Sequence, residues 1–411
     1  MDEQQWFAID GRVLGAADAQ LQGALSRAHE SLARPRCLCV PGGVEMYVAR
    51  YRRFVLKRMP QTGQHHHPGC PSYEPSPTES GLGELVGEAV IEAEPGRVEL
   101  RVDFPWVRRA GHGVQRGESL EAAEVAGPHR RMSLRALMHF LFEQAGFNRW
   151  SPAMAGKRNQ AVLHKYLMEA AEGVMVKGER LDARLYVPEP FNQSRKVEAA
   201  QRRRAKLAVL RPHEGLCPLG VVLGEFKACE AGALDKRIWI RHMPDAPLLV
   251  EARCWQRIER RFAPLFEARD ADTGAGVRLL MAALIRARRE QTYEVDSASL
   301  MLVSEHWIPL EGVHELPLVQ TLVSQQRRFV KPLRYDAASV AVFANVLLLD
   351  AGPAPVPLHV LSPFMKTTDR AAKERAIAKL AAAESWVWNT DQPLPPLPAV
   401  HGYTPRMESA A

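Results

Sequence analysis

The spacing of apolar residues changes along the chain, and these changes predict an α+β protein built in parts. Residues 15–34 carry apolar side chains at helical spacing and end before Pro35, which predicts a first helix. Residues 44–58 are rich in β-branched and aromatic residues, and residues 84–104 alternate on either side of a Glu-Pro-Gly turn. Each of these two segments predicts a β-hairpin, so the N-terminal part is predicted to be a β module.

A stretch of low apolar content at 108–130 is predicted to be a linker, and a helical segment follows it. Ser133 is a candidate N-cap for the next apolar helix, and Gly146 is the candidate end of that helix. A second helix is predicted over residues 159–172. Because a strand-like return comes next, this order resembles a winged helix-turn-helix, in which the second helix contacts DNA.

The remainder of the chain is predicted to be a mixed α/β domain. A basic helical connector at 195–206 leads into strand patterns that begin at about residue 216. Helices are predicted at 255–266, 314–328 and 367–386. The complete prediction is a β module at 1–107, a linker at 108–130, a winged-helix-like segment at 131–206, a mixed α/β domain at 207–390 and an irregular, proline-rich tail at 391–411.

Composition limits the class of protein. The chain has 411 residues, of which 46% are hydrophobic and 25% are charged, a balance typical of globular proteins. Its longest apolar runs are shorter than the ~20 residues that a membrane-spanning helix needs, and its acidic N-terminus does not resemble a signal peptide. We therefore expect a cytoplasmic protein without a membrane partner. The formal net charge of +7 favours a polyanionic partner.

The N-terminal part contains a pattern of residues that predicts a metal site. Cys37 and Cys39 stand one residue apart and are followed by Val-Pro-Gly-Gly, whose glycines allow a tight turn in which backbone N–H groups approach sulfur. After the first predicted hairpin, His66 and Cys70 follow with three residues between them, a common ligand spacing. Two ligand pairs joined by a hairpin predict one tetrahedral, structural zinc ion in a zinc-ribbon-like module.

The choice among the histidines stays open at this point. His65, His66 and His67 are all within reach, and we prefer His66. With four protein ligands no position is left for a water molecule, so the site is expected to stabilise the fold and not to catalyse a reaction. The alternative is a chance grouping of three thiols beside a surface run of histidines. The remaining cysteines are interpreted as ordinary buried thiols; they are Cys217, Cys229 and Cys254.

Several blocks of the sequence resemble an uncharacterised bacterial family, the domain of unknown function numbered 1173. The blocks include PRCLCVPGGVEMYVARY, HHPGCPSYEP, LYVPEPF, HMPDAPL and RRFVKPLRYD, and together they extend over nearly the whole chain. The three N-terminal cysteines of the family match Cys37, Cys39 and Cys70, and its preceding histidine matches His66. The resemblance implies an accessory role on integrative and conjugative elements, with proteins of a conjugation system as partners. It implies no known activity.

Basic and polar residues in the helical segment favour nucleic acid, either DNA or RNA, as the partner. They are Lys157, Arg158, Asn159, Gln160, His164 and Lys165 in and before the second helix, and Arg202, Arg203 and Arg204 in the connector. A recognition helix places long hydrogen-bond donors at its start, and further arginines can contact phosphates. The alternative is that these residues form a solvated surface or contact a protein.

A third hypothesis is a Mg²⁺-dependent nuclease. The sequence Glu225-Phe226-Lys227 ends a hydrophobic strand, where restriction-type nucleases place a Glu that binds Mg²⁺ and a Lys that orients the attacking water. Such a site needs an upstream aspartate, and the candidates are Asp182 and Asp103. An exposed Glu–Lys pair at a strand edge is the alternative. Because glycine-rich nucleotide loops and the GxSxG and HExxH motifs are absent, a non-enzymatic, zinc-binding protein associated with nucleic acid is the preferred interpretation.

Overall fold

The computed structural model describes most of the chain. The described residues are 5–31, 33–50, 53–59, 62–94, 97–109, 130–232, 235–271, 276–289, 291–337, 342–380 and 386–401. The predicted linker at 108–130 lies outside these residues, except for its first two residues and its last one. Within the described part, no helix has both the length and the apolar character needed to cross a membrane.

The described residues contain both helices and strands throughout, which confirms a mixed α+β structure. The helices are α1 Leu21–Glu30, α2 Leu134–Gln144, α3 Gln160–Ala171, α4 Leu181–Arg184, α5 Lys196–Leu207, α6 Ala252–Arg261, α7 Ala263–Ala271, α8 Leu316–Ser324 and α9 Thr367–Ala378. The strands are β1 Trp6–Ile9, β2 Arg12–Gly15, β3 Arg36–Cys37, β4 Val44–Arg50, β5 Phe54–Arg58, β6 Val90–Glu94, β7 Arg97–Leu100, β8 Val107–Arg109, β9 Arg149–Trp150, β10 Val174–Val176, β11 Glu179–Arg180, β12 Leu185–Tyr186, β13 Leu216–Ala231, β14 Lys236–Ile240, β15 Leu248–Val250, β16 Arg278–Arg289, β17 Thr292–Val303, β18 Pro309–Leu310, β19 Phe329–Val330, β20 Val346–Leu348, β21 Val356–Leu361 and β22 Trp386–Asn389.

The N-terminal strands form a sheet with the order β2-β1-β3-β4-β5, and α1 packs on it. Leu25 and Ala28 lie on one face of α1 and are buried in the small core of this sheet. The hairpin predicted at 44–58 is confirmed as the antiparallel pair β4–β5. The helix predicted at 15–34 is shorter than expected, because residues up to Gly15 belong to β2 and pair with β1.

The two predicted helices of the middle segment are confirmed, and so are the N-cap and the end residue predicted for the first of them. The Ser133 hydroxyl accepts a hydrogen bond from the backbone N–H of Ala136 at 3.2 Å, and Gly146 has a left-handed φ of 72° after α2. The side-chain Oδ1 atom of Asn159 accepts from the N–H of Val162 at 3.1 Å and caps α3. The hairpin β10–β11 follows α3 and joins a sheet with the order β11-β10-β7-β6. The zinc-ribbon-like and winged-helix-like assignments stay predictions.

Five strands of the C-terminal part close into a ring. Strand β13 pairs antiparallel with both β14 and β16, β14 pairs antiparallel with β15, β15 pairs parallel with β17, and β17 pairs antiparallel with β16. Inward side chains such as Val222, Ile238 and Met281 share one apolar core with Trp255 of α6. Helices α6 and α7 connect β15 to β16, and α2 packs against β16 and β17.

The last sheet combines distant parts of the chain in the order β22-β21-β20-β19-β9. Strand β9 comes from the helical segment, and Trp150 on it pairs with Phe329 on β19. The helix predicted at 255–266 is two shorter helices, α6 and α7, separated at Phe262. The helices predicted at 314–328 and 367–386 are shorter than expected and correspond to α8 and α9. Residues 381–385 of the second prediction lie outside the described residues.

Candidate metal centre and charged surfaces

The first ligand pair lies on a strand end and the turn that follows it. Cys37 ends β3, which is held between β1 and β4, and Cys39 lies two residues further on in a turn. Gly42 and Gly43 have φ values of 76° and 68°, as the sequence predicted for this turn. A Cβ atom on Gly43 would lie 3.0 Å from the Cβ of Arg36. The turn therefore requires glycine for both its backbone angle and its packing.

The second ligand pair returns to the same place after the β4–β5 hairpin. A 3₁₀ turn at Gly63–His65 precedes His66, and the Gly63 carbonyl accepts hydrogen bonds from the N–H groups of His66 at 3.3 Å and Glu74 at 3.1 Å. A second turn places Cys70, whose N–H donates to the His67 carbonyl at 2.8 Å. These short-range bonds fix the loop that carries His66 and Cys70 beneath the first turn.

The four predicted ligands, Cys37, Cys39, His66 and Cys70, converge. Their nearest ligand atoms all lie within 4.8 Å of one another, and all four residues are buried. The Sγ atoms of Cys37 and Cys70 are 3.7 Å apart, and the Nδ1 atom of His66 lies 3.2 Å from Cys39 Sγ and 3.8 Å from Cys70 Sγ. A disulfide needs about 2.05 Å between sulfurs, so no disulfide joins these cysteines. Three sulfurs and one nitrogen at these separations suit a tetrahedral metal ion.

The structure distinguishes among the three histidines. His66 is buried and directs Nδ1 toward the sulfurs. His65 is exposed, and His67 accepts a hydrogen bond on Nδ1 from the N–H of Gly69 at 3.0 Å. His66 is therefore the histidine placed to be a ligand, in agreement with the preference from sequence.

Electrostatics in the cluster favour a bound cation. Hydrogen bonds from Cys39 and Cys70 lower the pKa of Cys37, so one thiolate is stabilised by its neighbours. Hydrogen bonds with Cys37 raise the pKa of Cys39 to about 11 and also raise the pKa of Cys70, and burial and the repulsion between neighbouring thiolates act in the same direction. A divalent cation at the centre would supply the charge that permits all three thiols to ionise.

Two polar residues outside the ligand set contact the sulfurs. The Gln5 side-chain amide lies 3.5 Å from both Cys37 Sγ and Cys70 Sγ, and it donates to the Ser72 hydroxyl at 2.7 Å. The backbone N–H of Ser72 lies 3.4 Å from Cys70 Sγ. Such N–H···S contacts disperse thiolate charge and orient ligands. Within the described residues, His66 Nε2 is buried without a hydrogen-bond partner.

The loop that carries the second ligand pair also contacts the rest of the protein. The Arg328 guanidinium donates to the carbonyl of Gly69. Arg149 donates to the Tyr73 carbonyl at 2.6 Å and to a Glu74 carboxylate oxygen at 2.8 Å. The candidate metal centre is thus connected through this loop to the sheet that contains β9 and β19.

Comparison with known proteins places the whole of this architecture in one family. The family described as "Protein of unknown function (DUF1173)" matches residues 7–391. The chain belongs to this family. No curated protein and no solved structure shows significant similarity to the chain. All four converging ligands lie within the range that matches the DUF1173 family.

Two of the residues predicted to bind nucleic acid in this DUF1173 protein point into the structure. Arg158 donates to the carbonyls of Gly146 and Phe147 at 3.0 and 3.1 Å, and burial lowers its pKa to about 9. Arg203 is buried and forms an ion pair with Asp245. These contacts hold the long loop between α2 and α3, and the side of α5, in place. Sequence spacing does not separate such structural arginines from exposed ones.

A third predicted residue, Gln160, is buried and donates to the Pro188 carbonyl at 2.7 Å, and half-buried His164 has its Nδ1 atom 2.8 Å from the Val187 carbonyl. The other predicted nucleic-acid residues are exposed; they are Lys157, Asn159, Lys165, Arg202 and Arg204. Lys165 lies 3.9 Å from the carboxylate of Glu169 on the next turn of α3, and Arg202 pairs with Glu189 at 2.6 Å. The outer face of α3 therefore carries little net charge. Nucleic-acid binding by this set stays a prediction.

The candidate nuclease residues lie on β13. The Glu225 side chain is buried, and its two carboxylate oxygens pair with Arg241 at 2.9 Å and with Arg278 at 3.3 Å. Lys227 is exposed, and Asp182 pairs with Arg180 at 2.6 Å. In the part of the chain that the structure describes, no close group of three metal-type ligands includes Glu225. The nuclease hypothesis stays a prediction.

Two features with chemical interest were missed from sequence. One is a buried polar cluster around Lys331 and Lys373, which no spacing rule indicates. The other is the outer face of β14, where Arg237 and Trp239 alternate with buried Ile238. The alternation in KRIWI is visible in the sequence, but the charged side chains that adjoin this face come from the neighbouring strand β13.

Proposed function

We propose that this DUF1173 protein binds one structural zinc ion through Cys37, Cys39, His66 and Cys70. Zn–S bonds of about 2.3 Å and Zn–N bonds of about 2.0–2.1 Å in a tetrahedron imply S···S edges of about 3.8 Å and S···N edges of about 3.6 Å. The corresponding S···S separation is 3.7 Å, and the two S···N separations of 3.2 and 3.8 Å lie on either side of the expected S···N edge. This agreement is the observation that carries the proposal. Thiolate and imidazole ligands in such a geometry favour zinc over magnesium or calcium.

The role of the ion is to stabilise the fold. The apolar core of the N-terminal sheet is small, and a small core supports an independent fold only weakly. Gln5 and Ser72 orient the sulfurs, while Arg328 and Arg149 attach the ligand loop to the remainder of the protein. With four protein ligands the ion has no open position for a substrate. Loss of the ion is expected to loosen the N-terminal sheet and its contact with β9 and β19.

Elemental analysis of the purified protein tests the zinc proposal. We expect about one zinc atom per chain in the wild-type protein and a large loss in Cys39→Ser, with retention in the matched control Cys217→Ser. Cobalt substitution should give the absorption bands of a tetrahedral thiolate site in the wild-type protein only. A zinc-to-protein ratio near zero, or full retention of zinc in Cys39→Ser, would contradict the proposal.

We further propose that the protein associates with nucleic acid as a non-enzymatic accessory factor of a mobile element. The net charge of +7 supports this, as do the exposed cationic side chains of Lys157, Lys165 and Arg204. The mobile-element context rests on the resemblance to the family. The competing role is a protein contact within a conjugation complex, with the same basic residues facing an acidic partner.

Nucleic-acid affinity at two salt concentrations separates these roles. We expect binding without cleavage and an affinity that falls steeply between 50 and 200 mM salt. In a plot of log affinity against log salt concentration, each phosphate contact should contribute about −0.9 to the slope. The triple variant Lys157→Ala/Lys165→Ala/Arg204→Ala should bind more weakly and with a smaller slope. If no nucleic acid binds at 50 mM salt, the accessory role with nucleic acid is wrong, and a protein partner becomes the better explanation.

A further inference from the structure

The ring of strands in the C-terminal part has a specific connectivity. Its order is β13-β14-β15-β17-β16, closing back onto β13, with a parallel β15–β17 pair among antiparallel ones. Along the chain, β13, β14 and β15 follow one another directly, and helices α6 and α7 lie between β15 and β16. This is the arrangement of the five-stranded OB-fold barrel, in which the face of the second and third strands binds oligonucleotides or oligosaccharides. Here those two strands are β14 and β15, and the charged and aromatic side chains of interest lie on β14 and on β13, the first strand, which pairs with the other edge of β14.

A barrel of this topology can serve many functions, so a ligand has to be inferred from the side chains on its surface. On β14 the side chains of Ile238 and Ile240 point into the barrel core, while Arg237 is exposed and Trp239 is half-buried on the outer side. The indole N–H of Trp239 donates to a carboxylate oxygen of Glu230 at 2.9 Å. This bond holds the indole in place on the outer side of the barrel.

A β-bulge adds a cation beside the indole. The register of β13 against β14 shifts between Phe226 and Ala228, so that exposed Lys227 is the extra residue next to the Ala228–Trp239 pair. The next pair on the same face of the ladder brings Arg237 opposite Glu230. The indole is therefore flanked by positive side chains on both strands.

A third cation extends the surface beyond the end of β14. The side chain of Arg241 is 54% exposed, although its Nε atom pairs with buried Glu225. Glu230 is an exposed carboxylate on the same face as Lys227, Arg237 and Arg241. A surface that combines three cations with an aromatic ring suits a polyanion with planar bases better than a neutral oligosaccharide.

We infer that the outer face of β13 and β14 binds a single strand of nucleic acid, with a base stacked on Trp239 and phosphates beside Lys227 and Arg237. The inference rests on the proposed association with nucleic acid and adds to it the surface and the strandedness. Single strands expose the faces of their bases to aromatic side chains, whereas a duplex keeps its bases stacked internally. The site is separate from α3 and from the metal centre.

Fluorescence anisotropy with the full-length, zinc-loaded protein tests this inference. The probes are a labelled 20-nucleotide poly(dT) strand and a labelled duplex of the same length. We expect tighter binding to the single strand, and Trp239→Ala should weaken it by about 5- to 160-fold, because stacking of one base contributes roughly 1–3 kcal/mol. Trp239→Phe keeps an aromatic surface and should retain most of the affinity. Arg237→Ala should reduce the salt slope by about 0.7.

Arg260→Ala is the matched control, because Arg260 is an exposed arginine on α6 outside this face. It should change single-strand affinity less than twofold. The inference is overturned if Trp239→Ala binds like wild type while it unfolds at the same temperature, if Trp239→Phe is as weak as Trp239→Ala, or if duplex is preferred.

The result also distinguishes this inference from the broader proposal. If the triple variant Lys157→Ala/Lys165→Ala/Arg204→Ala loses affinity and the Trp239 variants do not, the proposed binding face on the barrel is wrong and the association with nucleic acid stands. If neither probe binds at 50 mM salt, both are wrong. If only the Trp239 and Arg237 variants lose affinity, the barrel face is supported and the contribution of the helical segment is wrong.

Discussion

A buried lysine in the last helix gives a quantitative prediction about stability. Lys373 on α9 is 1% exposed, and its ammonium group donates to the side-chain oxygen of Asn345. Burial lowers the pKa of Lys373 from 10.5 to about 8, and nearby cations, among them Lys331, act in the same direction. At about 1.4 kcal/mol per pKa unit, the protonated form costs about 3 kcal/mol in the folded state at pH 7.

Replacement of Lys373 by methionine removes this charge and keeps a similar apolar stem. The side-chain oxygen of Asn345 still accepts a hydrogen bond from the N–H of Val360 at 2.9 Å, so this buried oxygen keeps a donor in the variant. After subtraction of about 1 kcal/mol for the lost hydrogen bond, Lys373→Met should raise the free energy of unfolding by about 2 kcal/mol at pH 7. Between pH 8 and 10.5 the unfolded state binds more protons than the folded state, so wild-type stability rises and the gap narrows.

Urea titrations at pH 7 and pH 10 measure this gap. The control is Lys379→Met, which removes an exposed lysine just after the same helix and should change the unfolding free energy by less than about 0.5 kcal/mol. A Lys373→Met protein that is less stable than wild type at pH 7, or a gap that does not depend on pH, would refute the reasoning. It would mean that the buried ammonium group is fully compensated by its surroundings.

Three further predictions concern the buried ion pair and the metal centre. Glu315→Gln should lower the free energy of unfolding by about 3–5 kcal/mol in urea titrations, because it leaves Lys331 without the carboxylate that it contacts at 2.8 Å; a loss below about 1 kcal/mol would contradict this. A zinc chelator should lower the melting temperature, and added zinc should restore it, whereas an unchanged melting temperature would argue against a structural ion. Gly43→Ala should retain less zinc than Gly42→Ala, because both positions have positive φ but only Gly43 lies against Arg36; equal retention would show that crowding is unimportant.

The sequence by itself determined the features that depend on neighbours along the chain. Cys37 and Cys39 occupy one turn, His66 and Cys70 occupy another, and each pair has its geometry set by a few backbone angles. The N-cap Ser133 follows the same rule, since a cap needs only the next three residues. These predictions succeeded because the physical cause is local.

Only the tertiary structure decided which polar residues are buried and which strands are neighbours. Arg158 and Lys157 are adjacent in sequence, yet one is enclosed by carbonyls from distant loops and the other faces solvent. Lys373 is buried because it meets Asn345 across the fold, and the face around Trp239 exists because β13 and β14 close a barrel with strands up to about 60 residues away. Burial and strand pairing depend on contacts between segments far apart in sequence, and the spacing of residues within one segment carries no record of them.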